Sequence, residues 1–231
     1  MTKLIYLEKT IQHHKEAKRI CQQFPQAPVI LCDHYGEIFN RRAQNFRQQK
    51  ADAALILAEK TGRRVLPTPE SFGIGSVRNF YFSHMLNCIY DCRYCFLQGM
   101  YPSAHRVLFI NYRAFMDEID HTIATYQDDT CYFFSGYDGD SLALDPVSHF
   151  IRHFVPFFQA RPTSFLELRT KSANIRPLLN LPASDNIIVA FSLLPEKIAK
   201  AVDFLTPAYE KRLQAIEAMA KKGFPIGLRF D

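Results

Sequence analysis

Apolar residues fall into two kinds of pattern along the chain, and the change comes near residue 70. Before it the apolar stretches are short and interrupted. Lys9 to Gln22 predicts a polar helix, Pro28 to Cys32 a short strand, and Ala53 to Ala58 a small-aliphatic run ended by the Thr61-Gly62 break. Pro67-Thr68-Pro69 follows, and each proline drives its predecessor to extended backbone. Beyond that point strands and helices alternate. Val77 to Phe82, Thr130 to Phe134, Ser164 to Leu168, Ile187 to Leu193 and Pro225 to Phe230 predict strands. Asn111 to Tyr126 carries helical spacing, and Asp145-Pro146 opens a helix that runs to about Phe158. Ile175 to Asn180 predicts a short helix, and Pro207 to Lys222 an amphipathic one ended by Gly223.

This alternation predicts an α/β fold in which residues 71–231 form a parallel sheet rolled into a partial (β/α) barrel, with residues 1–70 as an N-terminal α/β extension. Functional loops in such folds lie at the C-terminal ends of the strands. The loop after Phe82, Ser135-Gly136, Arg169-Thr170-Lys171 and Ser192-Leu193 all fall there. The final strand is followed only by Asp231, with no helix to cover it, so the chain reads as the front portion of a longer protein.

Composition narrows the class. At 231 residues and 48% hydrophobic, the chain can bury a sizeable core. No apolar run is long enough to span a bilayer, and the N-terminus lacks a signal peptide's basic start and long apolar stretch. A cytoplasmic location is expected, with no membrane partner. Thiols stay reduced there, so clustered cysteines point to metal rather than disulfide. The net charge of +5 permits a polyanionic partner without requiring one. Arg41, Arg42, Arg47 and Lys50, with Phe39 and Phe46 interleaved and Arg63-Arg64 beyond, could track phosphates; a solvated helix face is the plainer reading.

The candidate chemistry lies in Cys88-x3-Cys92-x2-Cys95. With His84 these thiols could complete a Cys3His zinc tetrahedron. They could also be buried cysteines without metal, although three at this spacing speak against it. The third reading is an iron–sulfur cube with one iron left open for a small molecule. Zinc knuckles usually pair two Cys-x2-Cys elements, and no second pair exists here, which favours the cube. Cys21, Cys32 and Cys131 are scattered and read as core or surface residues.

Cys88-x3-Cys92-x-Tyr94-Cys95 after a strand resembles the radical S-adenosylmethionine superfamily. Within it, Cys92 to Gln98, Asp140 to Asp145, Thr170-Lys171, Phe191-Ser192 and Lys222 to Gly227 are similar, in order and approximate spacing, to the spore photoproduct lyase family. The resemblance implies a [4Fe-4S] cluster on Cys88, Cys92 and Cys95. It implies S-adenosyl-L-methionine at the open iron, cleaved reductively to a 5′-deoxyadenosyl radical that acts on thymine-dimer type lesions in damaged dipyrimidine DNA. An electron donor such as flavodoxin or ferredoxin would be a partner. Tyr94 would sit near the adenine, Gly136 would let backbone approach the methionine end, and Lys171 would pair with the carboxylate or a ribose oxygen. Ser192 would hydrogen-bond the same ligand, and Asp140 would accept from ribose hydroxyls or the ammonium. Each has a plainer alternative: packing, a strand-end turn, a solvated lysine, a satisfied hydroxyl and a turn residue.

The family's quenching cysteine near the end of the second strand is replaced here by Tyr137; a nearby family serine is Gly139, and a family tyrosine is Phe96. Tyr137 and Tyr94 are candidates to return the hydrogen atom. The alternatives are a radical enzyme acting on a different substrate and a non-catalytic zinc-binding module.

Overall fold

The structure is a computed structural model that describes residues 2–75 and 78–230. Val77, the expected first residue of a strand, and Asp231 therefore lie outside the described residues. The chain opens with β1 (Ile5–Glu8), α1 (Lys15–Gln23), β2 (Val29–Cys32), the short helices α2 (Gly36–Phe39) and α3 (Phe46–Lys50), β3 (Leu55–Ala58) and β4 (Val65–Pro67). It continues through β5 (Arg78–Phe82), β6 (Met85–Leu86), β7 (Asp91–Cys92), α4 (Leu97–Met100), β8 (Arg106–Phe109), α5 (Tyr112–Thr125) and β9 (Cys131–Ser135). Then come α6 (Asp145–Ser148), α7 (Phe150–Gln159), β10 (Ser164–Thr170), α8 (Arg176–Leu179), β11 (Ile187–Leu193), α9 (Glu196–Val202), β12 (Asp203–Phe204), α10 (Tyr209–Lys222) and β13 (Ile226–Phe230).

The larger sheet has the order β13-β11-β10-β9-β5-β4. All its neighbours pair in parallel except β4, which runs antiparallel to β5. This is the expected parallel, barrel-like α/β sheet. A second sheet has the order β2-β1-β3-β8-β6, parallel except for β6.

The strands do not divide at residue 70. β4 precedes that point yet joins the larger sheet, while β6 and β8 follow it and close the smaller one. The proline pair marks the exit from an edge strand rather than a seam: Pro67 sits opposite Phe80, and the Thr68 N–H donates to the Asn79 carbonyl at 3.0 Å.

Period-two alternation sets what each face of the larger sheet does. Phe80, Phe82, Phe133, Leu166, Leu168, Val189 and Phe191 enter a core shared with Phe115 of α5, Phe154 and Phe158 of α7 and Met219 of α10. Phe82 and Phe154 stack at 5.2 Å, and each fully buried phenylalanine contributes on the order of 1.5–3 kcal/mol. Of the intervening residues, Arg169 and Ser192 line the cavity described below.

The helix expected from Asp145 is two helices. His149 takes left-handed backbone (φ +54°) between them, and Asp145 Oδ1 accepts the Ile151 N–H at 2.8 Å, so the aspartate caps α7 across the break. The predicted Lys9–Gln22 helix likewise begins late, at Lys15, where His14 Nδ1 accepts the Glu16 N–H at 3.2 Å.

Candidate functional site

A cavity of about 310 Å³ lies at the C-terminal ends of the larger sheet's strands. Cys88, Cys92, Tyr94 and Cys95 line it from the loop after β6. Gly136, Tyr137 and Asp140 come from the loop after β9, Arg169, Thr170 and Lys171 from β10 and its exit, and Ser192 from β11. Every site residue expected from the sequence is on this wall.

The cysteine loop is shaped by the protein itself. It starts at Asn87, in left-handed backbone (φ +67°), whose Nδ2 donates to the carbonyls of Ser103 at 2.7 Å and His105 at 2.8 Å. The Tyr90 N–H donates to Cys88 Sγ at 3.4 Å, and the Cys95 N–H donates to the Cys92 carbonyl at 3.1 Å. The Lys50 ammonium binds both Asp91 and Gln98. Among the described residues none of the three forms a disulfide. Burial pushes the Cys88 thiol up, and burial with the Asp203 carboxylate pushes Cys92 up to about 12. A metal centre that displaces those protons would fix them as thiolates.

The zinc alternative does not assemble. His84 is buried and lies flat on the Phe150 ring at 3.9 Å, outside the cavity wall, and burial lowers its pKa to about 3. Among the described residues no three His, Cys, Asp or Glu side chains are gathered closely enough to hold a single ion. Three thiols spread along one cavity wall suit a multi-iron cluster instead.

Asp140 is bonded by the protein itself on both oxygens. Its Oδ1 accepts from Leu142 N at 2.9 Å, Ala143 N at 2.8 Å and Thr170 Oγ1 at 2.7 Å, and Oδ2 accepts from Lys171 N at 2.7 Å. The carboxylate thus ties the loop after β9 to the end of β10, and only Oδ2 keeps room for another donor. Burial pushes its pKa up and these four bonds oppose the shift. Gly136 serves the same junction. At φ +79° a Cβ there would lie 2.6 Å from Ser141 Oγ and 3.1 Å from the Arg169 carbonyl. The close approach it permits is therefore to the protein's own backbone.

Lys171 is buried at the wall with Nζ 5.3 Å from the centroid of the Tyr94 ring. The Tyr94 hydroxyl donates to Asp203 Oδ1 at 3.0 Å. Ser192 is buried along the same wall. Tyr137 stacks on Tyr81 at 4.4 Å and meets Phe96 at 6.3 Å, so its ring partner is Tyr81 rather than Tyr94. Cys131 opens β9, at the other end of the strand that leads to Tyr137.

Sequence reasoning missed Glu167 and Asp203. Glu167 is almost fully buried and accepts from Arg169 Nη2 at 3.1 Å and Arg229 Nη2 at 2.5 Å. A glutamate inside an apolar strand, two residues before an arginine, was its signal. The basic track is partly used internally: Phe39 is in the core, Lys50 binds Asp91, and Arg64 pairs with Glu118 at 3.4 Å. Arg41, Arg42 and Arg47 remain exposed.

Comparison with known proteins gives a consistent set of likenesses. Residues 79–230 match the family model described as spore photoproduct lyase. The spore photoproduct lyase of Bacillus subtilis (strain 168) is 23% identical over 141 residues, which are 61% of this chain and 41% of that relative. The matched stretch is thus less than half of the relative's length. A solved spore photoproduct lyase double mutant with bound AdoMet and dinucleoside spore photoproduct has a TM-score of 0.86 at 17% identity, covering 99% of this chain and 67% of that one. A spore photoproduct lyase complexed with dinucleoside spore photoproduct has a TM-score of 0.84 at 17% identity over the same shares.

Proposed function

Because the chain belongs to the spore photoproduct lyase family, we propose that it is a radical S-adenosylmethionine enzyme acting on thymine-dimer type lesions in DNA. Cys88, Cys92 and Cys95 would hold a [4Fe-4S] cluster, and S-adenosyl-L-methionine would occupy the adjoining cavity. The observation that carries this reading is convergence: three cysteines of one loop and the ends of β9, β10 and β11 line one cavity. When bound, the cluster supplies one-electron cleavage of the sulfonium to a carbon-centred radical.

The chain's own residues bind, orient and shield. Lys171 offers an ammonium matched to a carboxylate, and Ser192 offers a hydroxyl on the same wall. Tyr94 presents its ring at that wall with its hydroxyl held by Asp203. Asp140 places the Lys171 backbone rather than touching ligand through Oδ1. Tyr94, Phe96 and Tyr137 form an aromatic rim that limits water entry. A damaged dinucleotide as substrate is supported by the relative solved with dinucleoside spore photoproduct. A small electron-transfer protein such as flavodoxin or ferredoxin is the proposed donor. A cytoplasmic location accords with reduced thiols, and no helix among the described residues is long and apolar enough to cross a membrane.

A second reading keeps the radical chemistry and changes the substrate. It is favoured by the bulk of Tyr137, stacked on Tyr81 at the rim. The test is anaerobic reconstitution with iron and sulfide, metal analysis and a reductive S-adenosylmethionine cleavage assay, followed by irradiated DNA as substrate. The expected result is about four irons per chain, release of 5′-deoxyadenosine, loss of both in Cys92→Ala, and lesion reversal. One tightly held zinc without cleavage would overturn both readings. Cleavage without action on irradiated DNA would select the second.

A further inference from the structure

The cysteine loop is gripped from a second direction, by a segment more than a hundred residues further on. β12 runs antiparallel to β7 with Asp203 opposite Cys92, and the Arg93 N–H donates to the Val202 carbonyl at 2.9 Å. The Arg93 guanidinium lies 4.2 Å from the centroid of the Phe204 ring, tying the strap from its other residue. The Asp203 side chain is 1% exposed. Its Oδ1 accepts from the Tyr94 hydroxyl at 3.0 Å, and its Oδ2 accepts from Arg212 Nη1 at 2.9 Å. Arg212 projects from α10 and its side chain is 2% exposed.

A buried ion pair is a costly way to hold a turn, since well-packed apolar side chains commonly do as well or better. This pair has a more particular setting. Its carboxylate sits across the strand from one candidate cluster ligand and bonds the aromatic residue two positions after it.

We propose that Asp203 and Arg212 form a positioning pair that holds Tyr94 and the Cys92 strand and sets the charge the cluster experiences. The inference rests on reading Cys88, Cys92 and Cys95 as cluster ligands. The cluster gains one negative charge on reduction, so a carboxylate beside a ligand strand disfavours reduction and a guanidinium on that carboxylate offsets it. The two charges therefore act with opposite signs, and the guanidinium offsets part of the carboxylate's effect.

The test is the cluster's midpoint potential, from anaerobic redox titration of the reconstituted protein, with iron content measured alongside. Asp203→Asn is expected to shift the potential to more positive values. Arg212→Met is expected to shift it to more negative values. The double variant is expected to fall between the two single variants. Should Arg212→Met alone fail to fold, the positive shift in Asp203→Asn and its reduction in the double variant carry the same test. A purely structural brace would lower iron content and thermal midpoint without opposed shifts. Full iron loading with unchanged potentials would overturn the proposal. A wild-type protein that takes up no cluster would overturn the reading of the cysteines, and the proposal with it.

Discussion

Asp140→Asn separates a structural brace from a ligand contact. The carboxylate accepts from Leu142 N, Ala143 N and Thr170 Oγ1 on one oxygen and from Lys171 N on the other, all between 2.7 and 2.9 Å. Asparagine keeps a single acceptor oxygen. If that oxygen serves the three donors on the Oδ1 side, the new NH2 faces the Lys171 N–H, donor against donor. The lost bond to a charged acceptor is worth about 1.5–3 kcal/mol, and the buried N–H left without a partner adds about 1–3 kcal/mol. Relief of the cost of burying a carboxylate offsets part of this. The net expectation is a loss of about 2–3 kcal/mol in the metal-free protein, before any ligand is present. Urea unfolding of reduced, metal-free protein at neutral pH measures it, with the m-value unchanged. Stability within about 0.5 kcal/mol of wild type, together with an S-adenosylmethionine affinity weakened by about tenfold or more, would refute the reasoning and make Asp140 a ligand contact.

Two further outcomes follow from the same geometry. Gly136→Ala forces a residue with a Cβ to φ +79° and places that atom 3.0 Å from Ser141 N and 3.1 Å from the Arg169 carbonyl. Left-handed strain alone costs about 1–2 kcal/mol, so unfolding by urea should show at least that loss, and iron uptake should fall with it. His84 is held neutral, with its pKa lowered to about 3 from 6.5 by burial. Its contribution is fully present above pH 6.5 and is lost as pH falls toward 3, because only the unfolded chain binds the proton in that window. The thermal midpoint of wild type should therefore drop between neutral pH and about pH 5, and His84→Phe should flatten that part of the profile; an unchanged slope would show that His84 is not the group responsible.

The parallel strands were the most legible part of the chain. Ile187–Leu193 matches its expected bounds, because a strand buried on both faces leaves an unbroken apolar run. β1 (Ile5–Glu8) and β8 (Arg106–Phe109) gave no such signal, since each is short and finds its partners far away in sequence. The change in pattern near residue 70 does not sort the strands between sheets for the same reason: β8 pairs with β3 and β6 with β8, pairing that no local pattern records. At the site, the cysteines and the strand-end residues were readable because each sits at the C-terminal end of a recognisable strand. Asp203 was not, because its contact with Tyr94 spans 109 positions. His84 misled because its spacing from Cys88 is a linear fact, whereas the intervening strand β6 leaves its ring in the core on Phe150. Asp140 read equally as turn residue or ligand contact, and the four partners that favour a brace lie beyond the reach of local sequence pattern.

The departures from the family pattern are coupled rather than scattered. A Cβ at Gly139 would meet Met85 Cγ at 2.8 Å and Sδ at 3.0 Å, so the space a serine would use at that position is already filled. Two residues earlier, Tyr137 packs face to face on Tyr81 and reaches toward Phe96. Restoring a cysteine at 137 alone would leave a gap against Tyr81, and restoring a serine at 139 would require Met85 to move. The opposite wall of the cavity carries the three cysteines, Lys171 and Ser192. If the proposed radical chemistry holds, this packing at the rim bears on the reacting partner, while the cysteine wall bears on the cofactor.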